Sequence, residues 1–497
     1  MRYVYPAFLL CLAGCKIGPN YHKPEIAMPD TFVESKSQEE VLEKDFCTWW
    51  EHWNDPLLNS LVKEAVGGNF DLRIALEKII EARSYYRIES SYLGPAVNLN
   101  ALATRSRFSQ NIFTNRNDVE SIGTGAAPGG AGDTGSSSAT PKGSGFGPPL
   151  QNFFQVGFDA VWELDIWGSL RRTQKASEEE WEAVQMQAQD VLLTTISEVV
   201  RTYVTIRSLQ QQIDILQKKI GLEKRNLCLT KSLQDAGLDS QRPVEEMIVA
   251  LEQDLANMPV LETSYKQTVF ALAVLLGRQP ESLLSTFAEI KPIPTSFGKV
   301  PGGLPSDLLR RRPDIRAAER QLAAATERIG VAIADYFPQI SLTGNSYGYE
   351  SNKQNNWIVP GSRYWTIGPN VQWNLLSFGK TRAQVSMADS LQRQALLSYE
   401  QVIIESLQDV EGALVAYFEE QKRALHLLNE KEATYRFFRL TDDLFTSGLV
   451  DEMQVLQAQS DMLDKENECL QSEQALASDL VALYKALGGD WECSATP

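Results

Sequence analysis

The chain carries one structural unit written twice. A shift of 211 positions superposes Trp162 on Trp373, Gly168 on Gly379 and Arg171 on Arg382. The same 211 positions separate Gly237-Leu238 from Gly448-Leu449 and Leu276-Gly277 from Leu487-Gly488. Upstream the shift is 243, pairing Asp71 with Asp314, Arg73 with Arg316, Pro95 with Pro338 and Leu99 with Leu342. The 32 extra positions fall between Pro95 and Trp162, where the first copy holds a Gly/Ser/Pro-rich insert. A repeat of this kind constrains topology before local propensity does, because both copies must find equivalent folds. Each copy reads as helix, strand, polar loop, strand, very long helix, turn and helix.

Long helices dominate. Proline is absent from Leu150 to Arg242 and again from Asn370 to Thr496, and a helix interior rejects proline by about 3 kcal/mol. Leu192, Val199, Ile206, Ile213, Ile220 and Leu227 form a heptad stripe, with Ile196 and Tyr203 in the companion position. The second copy repeats it through Ile403, Val410, Tyr417, Ala424, Phe438 and Phe445, interrupted by Lys431, beside Leu407, Leu414, Leu428 and Tyr435. A sustained period of seven predicts coiled-coil packing. Counted from Ser169 to Ala236, such a helix is roughly 100 Å long. The stripe alone fits a spacer or filament as well as a channel.

The strands narrow the choice. Phe154, Val156, Phe158, Ala160, Trp162 and Leu164 alternate with mostly polar or small residues, and so do Trp365, Ile367, Pro369, Val371, Trp373 and Leu375. Val97, Leu99, Ala101 and Ala103 begin a third such segment after Pro95, and Ile340 and Leu342 a fourth after Pro338, weakening into Gly344 and Tyr347. Segments of about ten residues, apolar on one face and flanked by aromatics, are the pattern of a transmembrane barrel. Four strands cannot close a barrel, and an open edge in lipid leaves backbone groups unsatisfied. Two copies would give eight strands and three would give twelve; about eight fill with side chains, so twelve is the smaller number that leaves a lumen.

The N-terminus predicts export. Met1-Arg2 precedes a short apolar stretch from Tyr3 to Leu12, and then Leu12-Ala13-Gly14-Cys15. The stretch is too short to span a bilayer and fits a cleaved signal. Its last four residues resemble a bacterial lipobox, which implies cleavage between Gly14 and Cys15 and acylation of Cys15. By the same resemblance, Lys16 after the cysteine implies delivery to the outer membrane. No later apolar run approaches the length of a transmembrane helix.

Composition excludes other classes. With 47 basic and 64 acidic residues the formal charge is -17, the wrong sign for nucleic acid. Cys47, Cys228, Cys469 and Cys493 are scattered without metal-ligand spacing, so no metal or other cofactor is expected. The only histidines are His22, His52 and His426. No nucleophile elbow or phosphate loop accompanies them, and an enzyme is not expected.

The sequence closely resembles the TolC-type outer-membrane factors, in the lipoprotein branch typified by OprM and NodT. Cys15-Lys16-Ile17-Gly18-Pro19-Asn20-Tyr21-His22-Lys23-Pro24 looks like that branch's opening motif. Trp49-Trp50, Asp55-Pro56-Leu57, Leu61 and Asn69-Phe70-Asp71-Leu72 match its next signature. The longest match runs from Leu304-Pro305-Ser306-Asp307-Leu308-Leu309 through Arg310-Arg311-Arg312-Pro313-Asp314-Ile315 and Ala318-Glu319 to Phe337-Pro338. Trp373-Asn374-Leu375 with Phe378-Gly379 completes it. The resemblance implies a mainly α chain with a transmembrane β-barrel contribution, four strands and long coiled-coil helices per chain. Three copies would share a twelve-stranded barrel and a helical tunnel. It implies the exit duct of a tripartite efflux system, partnered by a periplasmic adaptor, an inner-membrane pump and outer-membrane lipid. A lipid-anchored coiled-coil spacer or adhesin without a channel is the competing reading.

The expected organisation is a signal peptide over 1–14, a lipid-anchored arm over 15–54 and a first repeat over 55–279. A Pro-rich equatorial linker over 280–304, a second repeat over 305–490 and a tail over 491–497 follow. Expected strands lie near 95–107, 152–164, 338–350 and 363–375, and expected long helices near 168–236, 240–276, 379–447 and 451–487. Ser121 to Pro149 reads as an extracellular loop. Gly237 and Gly448 suit left-handed helix caps. The resemblance makes those hairpins, with Leu238 and Leu449, the periplasmic tips where an adaptor docks. It also places a constriction just beyond the tip, where aspartates are common in the family. Here the matching positions hold Gln454, Gln457 and, in the first copy, Pro243, with Asp451, Glu452 and Asp461 nearby. These acids fit a displaced acidic aperture and an ordinary solvated helix face equally well.

Overall fold

A computed structural model describes residues 16–26, 29, 49–107, 150–294 and 311–489. The expected cleavage and acylation residues Gly14 and Cys15, the insert over 121–149, and Cys47 and Cys493 lie outside them. The chain divides into two compact units. The first takes the described residues up to Gly18, Ile88–Thr173 and Gly330–Gln384, and the second the described residues of Pro19–Arg87, Gln174–Ile329 and Val385–Pro497.

The first unit is built on an antiparallel sheet. Strands β1 (Ala96–Arg107), β2 (Leu150–Glu163) and β3 (Gln339–Ser351) pair in that order. Two short strands, β4 (Arg363–Tyr364) and β5 (Gly368–Gln372), both pair with β3 and share one strand position. The single strand expected near 363–375 is thus split. Pro369, inside β5, has no N–H to give to a ladder, and Trp365–Ile367 between the two pieces belong to no strand. The β1/β2 register runs from Ala96↔Val161 to Arg107↔Leu150, and β3/β5 from Gln339↔Gln372 to Thr343↔Gly368. The β2/β3 pairing includes Trp162↔Leu342 and is interrupted by a bulge between Phe158 and Ala160.

Tryptophans fasten the strand ends identically in both copies. The Trp162 indole Nε1 donates to the Leu93 carbonyl at 2.9 Å, and Trp373 Nε1 donates to the Tyr336 carbonyl at 3.1 Å. Trp167 stacks on Phe337 at 4.7 Å and donates to the Pro338 carbonyl at 2.8 Å. Beside it Gly18, at φ +100°, lies so close to Gly330 that a Cβ would come within 2.6 Å of the Gly330 Cα. The buried Arg172 guanidinium donates to the Gly18 carbonyl at 2.9 Å. The glycine of the opening motif is thus a packing requirement.

The second unit holds the greater part of the helices. Helices α1 (Pro56–Gly68) and α2 (Phe70–Ser91) precede α3 (Ser169–Asp235) and α4 (Gln241–Leu275). The second copy follows with α5 (Pro313–Ala334), α6 (Lys380–Thr446) and α7 (Glu452–Ala486). Its core joins Trp49, Trp53, Leu58, Leu61, Val199, Ile206, Leu272, Leu322, Ile403, Val410, Tyr417 and Leu483. The heptad stripe is therefore real packing, though α6 leaves Leu428 and Tyr435 of that stripe exposed. Asp55 accepts from the Leu57 N–H at 2.9 Å and caps α1, whose first residue is Pro56. It also accepts from the Tyr203 hydroxyl. The Arg207 guanidinium lies 5.1 Å from both the Tyr203 and Phe287 rings and donates to the Glu289 carbonyl.

The longest family motif has a comparable explanation. Arg312 pairs with Asp314 at 2.7 Å and Asp409 at 3.1 Å, and donates to the Ala486 carbonyl at 3.1 Å. One guanidinium thereby ties the starts of α5 and the ends of α7 to α6. Among the described residues, no helix is long and apolar enough to cross a membrane.

Candidate functional site

Each long hairpin ends in the same turn. The Gly237 N–H donates to the Gln234 carbonyl and the Leu238 N–H to the Leu233 carbonyl, both at 2.9 Å. Gly448 and Leu449 repeat this on Phe445 and Leu444 at 2.8 and 2.9 Å. The glycines take φ +71° and +74°, as a Schellman ending requires. Both leucines then stand in solvent, Leu238 at 76% and Leu449 at 72% exposure. Apolar side chains this bare at two equivalent turns form matching surface features.

Beyond the second tip the suggested aperture residues separate by role. Asp451 is the N-cap of α7 and accepts from the Gln454 N–H at 2.9 Å, so local helix chemistry already accounts for it. Glu452 is ion-paired with Arg225 of α3, a link between the two copies. Gln454, Gln457 and Asp461 share an exposed stripe of α7, turned away from the buried Val455 and Leu456 and bordered by the buried Ala458. The Gln457 amide donates to Asp461 at 2.8 Å. In the first copy Pro243 enters α4 within its first turn, where a missing N–H costs little.

A second polar cluster was not singled out from the sequence. Lys219 on α3 pairs with Asp464 on α7 at 2.8 Å and lies 3.5 Å from Asp254 on α4. Glu223, one turn along α3, faces the same group; burial, and then Asp254, push its carboxyl up to about 7 against the pull of Lys219. The available signal was the Lys219/Glu223 spacing of one turn beside the Ile220 stripe position, which puts charge at the edge of a buried seam.

Residues 61–278 and 304–489 match the outer membrane efflux protein family model. The chain belongs to the outer membrane efflux protein family. Such a family is one of efflux ducts, located in the outer membrane, and not one of enzymes. The chain is 28% identical over 495 residues to the solvent efflux pump outer membrane protein SrpC of Pseudomonas putida, covering 98% of this chain and 97% of that one. It is 27% identical over 499 residues to nodulation protein T of Rhizobium leguminosarum bv. trifolii, covering 99% and 97%. The solved outer-membrane channel OprN superposes with a TM-score of 0.81 at 29% identity, covering 96% of this chain and all 100% of that one. The open-state MtrE channel of Neisseria gonorrhoeae gives 0.78 at 25% identity, covering 96% and 98%. These matches run through strands and helices alike, so the fold of this efflux protein is that of the TolC-type channels.

The raised Glu223 carboxyl sets a pH dependence with a definite sign. Its folded value of about 7 lies above the 4.5 of a free carboxyl. The folded state therefore binds the proton more tightly, and stability falls as pH rises through that window. Glu223→Gln removes the cost of ionisation: it should leave the unfolding midpoint unchanged at pH 4 and raise stability by about 1 kcal/mol at pH 8, after allowance for solvent screening. Parallel stability profiles for wild type and variant across this range would contradict the assignment.

Proposed function

We propose that three copies of this efflux protein form the exit duct of a tripartite pump. Substrates would pass from an inner-membrane pump and a periplasmic adaptor to the exterior without chemical change. The open sheet is the observation that carries this reading. Among the described residues β1 pairs only with β2, and β5 only with β3, so neither edge of the sheet has a partner there. Their outward apolar residues are bare, Val97 and Leu99 above 60% exposure. Such a sheet can sit in hydrocarbon only when other copies complete the ladder. The four strand positions among the described residues then favour three copies, because twelve strands leave a lumen. Exposed Leu425, Phe437 and Leu440 on α6 support burial by neighbouring copies. A spacer without a channel would have no use for a sheet with this apolar face.

The acyl anchor at Cys15, after cleavage at Gly14, belongs to the same reading. Metabolic palmitate should label the wild type and leave Cys15→Ser unlabelled; equal label on both removes the anchor.

The tips Gly237-Leu238 and Gly448-Leu449 are proposed to receive the adaptor. In a ring of repeats two kinds of groove alternate around the tips. The groove within a chain carries Arg225–Glu452, and its counterpart by the repeat shift holds Arg436 and Gln241. Gly448→Val puts a β-branched residue at positive φ. It should leave trimers intact while lowering adaptor crosslinking and drug export together, at least several-fold. Gly237→Val should act at the other groove with different severity. Full docking and export in both variants would show that the adaptor binds elsewhere.

Asp451, Glu452, Gln454, Gln457 and Asp461 are proposed to line the periplasmic aperture. Three-fold repetition concentrates their charge around one axis. Replacing Asp451 with Asn and Glu452 with Gln should change single-channel conductance and weaken block by multivalent cations. Identical conductance and block would place the constriction at another level.

A further inference from the structure

We infer that a recess in the second unit, walled by α3, α4 and α7, binds small solutes that carry primary ammonium groups. The inference rests on the duct reading only for the side that the recess faces; the binding chemistry belongs to a single chain.

The cavity measures about 580 Å³, inside the roughly 300–1,000 Å³ of small-molecule pockets. Each helix gives it hydroxyls: Thr205 from α3, Ser264 and Thr268 from α4, and Ser478 from α7. A hydroxyl has one proton to give, and each of these gives it to its own helix. Thr205 donates to the Arg201 carbonyl at 3.0 Å and Ser264 to the Val260 carbonyl at 2.9 Å. Thr268 donates to the Ser264 carbonyl at 2.7 Å and Ser478 to the Gln474 carbonyl at 2.9 Å. Toward the cavity these oxygens can therefore only accept, and their dipoles present the negative end.

The rest of the wall leaves room for a cation. Nη2 of Arg201 donates to both carboxylate oxygens of Glu198 at 2.8 Å, so that positive charge is answered locally. The Gln474 amide reaches the Thr205 oxygen only at 3.4 Å, a long bond that a stronger donor displaces. Ala271 lines the recess about one turn before the end of α4, where the helix carries partial negative charge. Among the described residues that line it none is aromatic or a large aliphatic, so an apolar solute gains little there. An ammonium combines three donors with a positive charge, which matches a wall of acceptors. A carboxylate or phosphate would meet lone pairs with lone pairs.

The recess opens on the uncovered side of α3. At about 100° per residue, Glu198, Arg201 and Thr205 point away from Val199, Tyr203 and Ile206, which pack in the core with Trp49 and Phe287. A duct must keep its passage clear, so the side covered by Trp49 and Phe287 faces outward and the recess faces the passage. The chain's formal charge of -17 draws cations toward such a wall. The recess is thus a stopping place for amine-bearing solutes in transit.

Probes of similar length separate the causes. Hexane-1,6-diamine has the charge and the donors, hexamethonium the charge without donors, and adipate the opposite charge. Calorimetry on the purified full-length protein in detergent should show the diamine binding at least ten-fold tighter than hexamethonium, and adipate not binding. Thr205→Val with Thr268→Val alters no charge; it should weaken the diamine at least five-fold and leave hexamethonium unchanged. Ser264→Ala with Ser478→Ala gives the same reading if the first variant does not fold. Equal affinity for diamine and hexamethonium, undiminished diamine affinity in a folded variant, or preferred binding of adipate overturns the recess. Diamine binding of the expected kind in a protein that conducts no ions in planar bilayers supports the recess and overturns the duct. Conduction without such binding overturns the recess alone.

Discussion

A strand edge inside hydrocarbon has nothing to bond with. Each unpaired N–H or C=O there costs several kcal/mol, so a chain that supplies four strand positions must recruit more strands or stay out of the membrane. Much else in this protein follows. The sheet is antiparallel and flanked by aromatics, its two edges have no partner among the described residues, and its apolar face is bare.

Much of the fold was legible because the repeat and the two periodicities act over long stretches. Proline-free heptads at Val199, Ile206, Ile403 and Val410 lie in buried seams of very long helices. Alternation around Trp162 and Leu99 marks paired strands. Family membership was legible from motifs whose physical reasons the structure supplies. Asp55-Pro56 caps and starts a helix, Gly18 allows a contact with Gly330 that a side chain would block, and Arg312 clamps three helices. Pattern reading was weaker at the last strand position. There the strand is broken over Trp365–Ile367, while alternation of side chains continues regardless.

The candidate site was less legible. Helix-ending glycines announce themselves through their neighbours, and Gly237 and Gly448 do adopt positive φ. Charges on helices do not, since their meaning depends on which helix lies opposite. Asp451 is occupied as an N-cap and Glu452 as an ion pair with Arg225. Glu223 gathers with Lys219, Asp254 and Asp464 only because three helices converge. No spacing along one helix encodes a partner on another.

On the proposed reading several copies complete one barrel, and their number is three. Native mass spectrometry of the protein extracted gently from outer membranes tests it most directly. One dominant assembly of three chains should appear, forming conducting pores in planar bilayers and falling to single chains on heating. A dominant monomer, or a closed assembly of two or four chains with the same conductance, would contradict it.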